Sequence, residues 1–97
     1  MLRHVVLLRF HADAPADTAS RAVAALKTLP AQIPEIVSYQ PAVDVVRAER
    51  SFDVALVSDF ADRAALQHYL AHPAHVRVYE EFLAPHLADL AVADFEP

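Results

Sequence analysis

The sequence contains no glycine at all, and that absence excludes a large part of nucleotide chemistry. Phosphate-cradling loops and dinucleotide fingerprints need glycine for positive φ and for close backbone approach to the ligand. A P-loop or a Rossmann-type site is therefore not expected. Cysteine is absent too, which removes disulfides, thiol catalysis and thiolate metal ligation together. Lysine and arginine number only eight against thirteen aspartates and glutamates, for a net charge of −5. No basic cluster or stripe runs along the chain, so nucleic acid is not an expected partner. Long hydrophobic runs are missing as well. The opening Arg3-His4-Val5-Val6-Leu7-Leu8-Arg9 holds a short apolar stretch between charges. Such a stretch is too short for a signal-peptide core or a membrane span, and a cytoplasmic location follows as the default.

What is present is apolar side chain in excess. Of 97 residues, 56% are hydrophobic, against roughly 45–50% in an average soluble domain. A chain of this length forms one domain, residues 1–97, with a modest core that buries roughly two-thirds of the unfolded surface. The surplus apolar surface needs a cover, and a second subunit provides one.

Leu2 to Phe10 reads as a strand whose two parities are both apolar at the centre, so both of its faces call for cover. Pro15 suits the first turn of a helix capped near Asp13 or Ala14, with Ala19, Ala22, Val23, Leu26 and Leu29 at helical spacing. Pro30 and Pro34 stop it. Glu35 to Val46 is extended, with Val37, Tyr39, Val43 and Val45 on one parity. Pro41 inside that run predicts an edge strand or a bend. Phe52 to Phe60 is a further strand, with Phe52, Val54, Leu56 and Phe60 on one face. A helix follows over Ala61 to Leu70, with Asp62 near its start. Pro73 then opens a second helical stretch to about Leu87, buried through Val76, Tyr79, Phe82 and Leu83. Ala88 to Phe95 closes the chain as a strand.

The order β-α-β-β-α-β is that of α+β, ferredoxin-like folds: a four-stranded antiparallel sheet with both helices on one face. The other face keeps Val5, Leu7, Ala55, Val57, Ala91 and Ala93. Left wet, it would be a larger apolar patch than soluble proteins tolerate. A two-fold homodimer packed sheet to sheet is the simplest remedy.

Three stretches carry a resemblance. The opening Arg3 to Phe10, the strand Phe52 to Phe60, and Tyr69-Leu70-Ala71-His72-Pro73-Ala74-His75 are similar to the signature of the stress-responsive, dimeric α/β-barrel (A/B-barrel) family. The Tyr-x-x-His-Pro-x-His string is the most specific of them, and Val92 to Phe95 adds to the match. The resemblance implies a homodimer whose two sheets form a barrel, with a pocket between sheet and helices in each subunit. In the plant polyketide-cyclase branch of the family that pocket carries out a cofactor-free aldol cyclisation. The catalytic histidines and one tyrosine of that branch match His4, His75 and Tyr69. A second tyrosine falls near Leu26, where this sequence departs from the branch. Related barrels also include cofactor-independent oxygenases, an analogy of fold alone.

The residues themselves leave two readings open. His4 shares its strand parity with Val6 and Leu8, so its imidazole needs a partner if that face is buried. Tyr69 and His75 are the expected ones, making either a satisfied core network or a site. As a site, His75 is the base, Tyr69 the donor to a developing enolate oxygen, and His4 the group that orients or shares the proton. Val6, Leu8, Leu26, Leu56, Val78 and His72 are expected to line the pocket. Its ligand would be a small apolar carbonyl compound, bound or turned over by lyase or cyclase chemistry without a cofactor. His72 also fits a capping role at the helix break. His68, His72 and His75 have ligand-like spacing, but no cysteine or suitably spaced carboxylate completes a metal set, so no metal is expected. His68 reads as solvated, and His11 and His86 as loop or surface residues. The aspartates at 53, 59 and 94 flank strands and form no evident acid–base pair.

Overall fold

A computed structural model describes residues 1–97. It contains one antiparallel sheet of four strands: β1 (Leu2–Phe10), β2 (Ile36–Val43), β3 (Val54–Phe60) and β4 (Leu87–Phe95), in the order β2-β3-β1-β4. Helix α1 (Thr18–Leu26) joins β1 to β2, while α2 (Arg63–Ala71) and α3 (Pro73–Val78) lie between β3 and β4. The ferredoxin-like order read from the sequence is the order observed.

Strand β1 alternates strictly. Leu2, His4, Val6, Leu8 and Phe10 are buried, and the residues between them are half-buried. The buried parity packs against Ala22, Val23, Leu26, Leu66, Tyr69, Val78 and Leu83 of the helical layer, together with Val54, Leu56 and Phe60 of β3. The opposite face pairs Val5 with Val57 and Ala93, and Leu7 with Ala55 and Ala91, all left partly open. An ion pair stands at each end of that face, Arg3 with Asp59 at 2.8 Å and Arg9 with Asp89 at 3.7 Å.

Several local expectations change. Helix α1 starts at Thr18 rather than in the turn of Pro15, because Thr18 closes that turn on the Pro15 carbonyl with both its N–H (3.0 Å) and its hydroxyl (2.7 Å). Asp17, not Asp13 or Ala14, precedes the first helical residue, and its side chain caps nothing. In β2 the irregularity lies between Ile36 and Ser38, not at Pro41, which pairs in register with Leu56 on this edge strand. The shift takes Val37 off the Tyr39 face, and Val45 lies beyond the strand, 88% exposed. Phe52 falls ahead of β3, where its ring lies 4.0 Å beneath the Arg9 guanidinium.

The Pro73 break occurs as expected. Asp62 caps α2 by accepting the Ala65 N–H at 2.8 Å, and the helix ends where His72 turns extended ahead of proline. His72 then caps α3, its Nδ1 accepting the Ala74 N–H at 3.0 Å. Beyond α3 the chain widens into a π turn over Tyr79–Leu83 and a 3-10 turn over Ala84–His86. The wider turn changes the buried face. Ala74, Val78 and Leu83 point inward, and the step from Val78 to Leu83 is the five-residue step of a π-helix. Val76 and Tyr79, expected inside, are about two-fifths exposed.

Candidate functional site

The helical layer packs on β1, β2 and β3, and the helix-side face of β4 is left uncovered. Leu90 and Val92, opposite Leu8 and Val6, remain 41% and 49% exposed. The gap between that strand and the π turn is a cavity of about 290 Å³. It is lined by His4, Val6 and Leu8 of β1, Leu26 of α1, Leu56 of β3, Tyr69 and Leu70 of α2, His75 of α3, Tyr79 and Leu83 of the π turn, and Leu90 and Val92 of β4.

His4 is buried, 5% exposed. Its Nδ1 is 2.5 Å from the Asp94 carboxylate, across the β1–β4 pairing that sets residue 4 opposite residue 94. A carboxylate only accepts, so Nδ1 carries the hydrogen of this bond and Nε2 is the ring nitrogen left over. Nε2 makes no hydrogen bond, yet no buried side-chain nitrogen or oxygen lacks a partner. That nitrogen is therefore open to whatever fills the cavity.

His75 is arranged in the same sense. Its Nδ1 donates to the Leu70 carbonyl at 3.1 Å, leaving Nε2 as the free nitrogen. Burial, the largest influence, holds its pKa below the usual value despite the Leu70 bond, which raises it; His4 and His72 add to the lowering. A base so placed is neutral at neutral pH. Tyr69 is 1% exposed, and its ring centre is 4.5 Å from that of His75 and 6.4 Å from that of His4. Its hydroxyl is 2.7 Å from that of Tyr39 on β2. Burial raises the Tyr69 pKa to about 12 while the Tyr39 bond lowers it, and Tyr39 is displaced further upward, chiefly by burial.

The sequence matches the family model of the stress-responsive A/B barrel domain over residues 2–97. The chain belongs to that family. Among solved structures, a dimeric ferredoxin-like protein of unknown function from Thermobifida fusca is 31% identical, with a TM-score of 0.87 over 99% of this chain and 90% of that one. A dimeric protein of unknown function with a ferredoxin-like fold from Bacteroides fragilis is 26% identical, with a TM-score of 0.89 over 99% and 95%. Hydroxynitrile lyase from Passiflora edulis is 20% identical, with a TM-score of 0.79 over 97% and 90%, a likeness of fold. No curated protein matches the sequence.

In this A/B-barrel protein the cavity brings His4, Tyr69 and His75 to one wall, with Val6, Leu8, Leu26 and Leu56 around them. Two residues expected there are elsewhere. Val78 points into the packed core, 7% exposed, and His72 is held at the start of α3 by its capping bond. The expected partners of His4 are corrected too, since its hydrogen bond goes to Asp94 and not to Tyr69 or His75. Asp94 and Tyr39, which bond His4 and Tyr69, and Tyr79, which lines the cavity, are the polar residues that sequence reasoning passed over. Asp94 shares a parity with Leu90 and Val92, and once β4 is set antiparallel to β1 that parity faces the helices. Tyr39 gave a weaker signal, because the irregularity near Val37 obscures which way its strand faces. His68 lies 3.7 Å from Glu35 and does not line the cavity, and no helix is long and apolar enough to cross a membrane.

Proposed function

We propose that this chain works as a homodimer in which each cavity binds a small, neutral, largely apolar carbonyl compound. The observation that carries the reading is the distribution of polarity in the cavity. His4, Tyr69 and His75 are polar, and nearly all of the remaining wall is aliphatic. No lysine or arginine lines it, so a carboxylate or phosphate ligand would be desolvated without a counter-charge. At about 30 Å³ per water, 290 Å³ takes roughly ten non-hydrogen atoms. That sits at the small end of ligand pockets. The dimer is supported by the open sheet face around Val5, Leu7 and Val57, and by the dimeric Thermobifida and Bacteroides relatives.

Calorimetric titration with acetophenone, a neutral aryl ketone of suitable size, tests this. Saturable heat is expected, and Leu26→Trp, which fills the cavity, should remove it. If neither acetophenone nor a panel of neutral aldehydes and ketones of that size gives heat, the reading is wrong.

A second reading, cofactor-free proton transfer as in a lyase or cyclase, is favoured by the two free Nε2 atoms. His75, kept neutral by burial, takes a proton from the carbon beside the carbonyl. Tyr69 hydrogen-bonds the enolate oxygen, and His4, steadied by Asp94, shares the proton. Deuterium entering the acetophenone methyl group in heavy water reports this step. Exchange faster than in imidazole buffer, and lost in His75→Ala, is expected. Exchange no faster than buffer removes the catalytic reading and leaves binding intact.

A further inference from the structure

The hydrogen bond between Tyr39 and Tyr69 has a direction, and the cavity decides it. Each hydroxyl has the other as its only hydrogen-bond partner, at 2.7 Å. Tyr69 lines the cavity and Tyr39 does not. If Tyr69 donated, the Tyr39 proton would have no acceptor in the protein, while the cavity would face only an oxygen lone pair. If Tyr39 donates, every proton has a place: its own lies on Tyr69, and that of Tyr69 is free for a ligand oxygen.

We infer that Tyr39 is a positioning residue for the cavity, donating to the Tyr69 oxygen so that the Tyr69 proton is presented to the ligand. The assignment deepens the carbonyl-site reading and rests on it for its purpose, though not for its geometry. A donor bonded to the Tyr69 oxygen also stabilises the phenolate, and this makes Tyr69 the more acidic hydroxyl of the two. The rings meet edge to face at 5.9 Å, so Tyr39→Phe keeps that packing while deleting the donor.

The test uses the whole chain with a trifluorinated tyrosine at position 69, whose phenol ionises near neutrality and is followed by fluorine NMR. In the Tyr39→Phe background its ionisation constant should fall roughly tenfold, as expected for one lost hydrogen bond to an anion. An unchanged constant, with the fold intact by circular dichroism, overturns the assignment, since a merely structural Tyr39 would alter the melt and not the titration. A second measurement needs no substitution. In tyrosine-labelled wild-type protein the Tyr39 hydroxyl proton should exchange slowly and that of Tyr69 quickly, and the reverse order overturns the proposal. Neither readout uses a ligand. Should acetophenone fail to bind while the titration shifts, the carbonyl reading falls and the tyrosine pair stands.

Discussion

Replacing Asp94 by alanine strips His4 of its only side-chain partner. His4 is 5% exposed, so its Nδ1 hydrogen is left facing a largely dry interior. An orphaned buried donor costs roughly 1–3 kcal/mol. The Asp94 side chain is itself 39% exposed, so water follows into the vacated space and holds the loss to about 1–2 kcal/mol. In a chain of this size that lowers the melting temperature by roughly 5–15 °C. Urea unfolding at one fixed protein concentration is the assay, because a dimer's apparent stability depends on concentration. The decisive form is a double-mutant cycle with His4→Phe, which keeps a ring but removes the donor. In that background Asp94→Ala should cost almost nothing, giving a coupling energy of about 1–2 kcal/mol. Additive single substitutions, within about 0.5 kcal/mol, would refute the pairing.

Acidification should act through His75. Its pKa lies below the usual 6.5, mainly through burial, so between that value and the folded one the unfolded chain binds a proton that the folded chain does not. Stability from this source is complete above pH 6.5 and declines as pH falls through the folded value. The urea midpoint of wild type should therefore drop more between pH 7 and pH 5 than that of His75→Phe; identical slopes would contradict this. Val57→Asp places a charge in the middle of the open sheet face opposite Val5, and light scattering should find a monomer where wild type should run as a dimer. A monomeric wild type would end the sheet-to-sheet argument. Asp62→Ala removes the α2 cap and should cost about 1 kcal/mol, most of it restored by Asp62→Ser.

The fold was legible because short-range rules settled it. The β-rich run from Leu2 to Phe10 and the prolines at 30, 34 and 73 mark most of the elements, and strand and helix periods separate them. The His-Pro break was readable in detail, since proline fixes the geometry of the residue before it. The misses arise where geometry is not local. A π turn keeps an apolar pattern but changes its step, so Val76 and Tyr79 were set on the wrong side. The same loss of phase explains Val78, which has the right polarity for the cavity and the wrong direction. The His4–Asp94 pair depends on the register between the first and last strands, separated by almost the whole chain, and no spacing in the sequence encodes it. Tyr69 and His75 came from a motif, whereas Tyr39 reaches Tyr69 only through the pairing of β2 with β3.

The most direct test of the central claim is the infrared carbonyl stretch of acetophenone bound to the protein. A ligand whose oxygen lies against Tyr69 at the His4 and His75 wall should show its band shifted to lower frequency than in an apolar solvent, and Tyr69→Phe should reverse much of that shift. A bound ketone whose band stays at the apolar-solvent position would contradict the account, because the cavity would then be holding the ligand by its hydrocarbon alone.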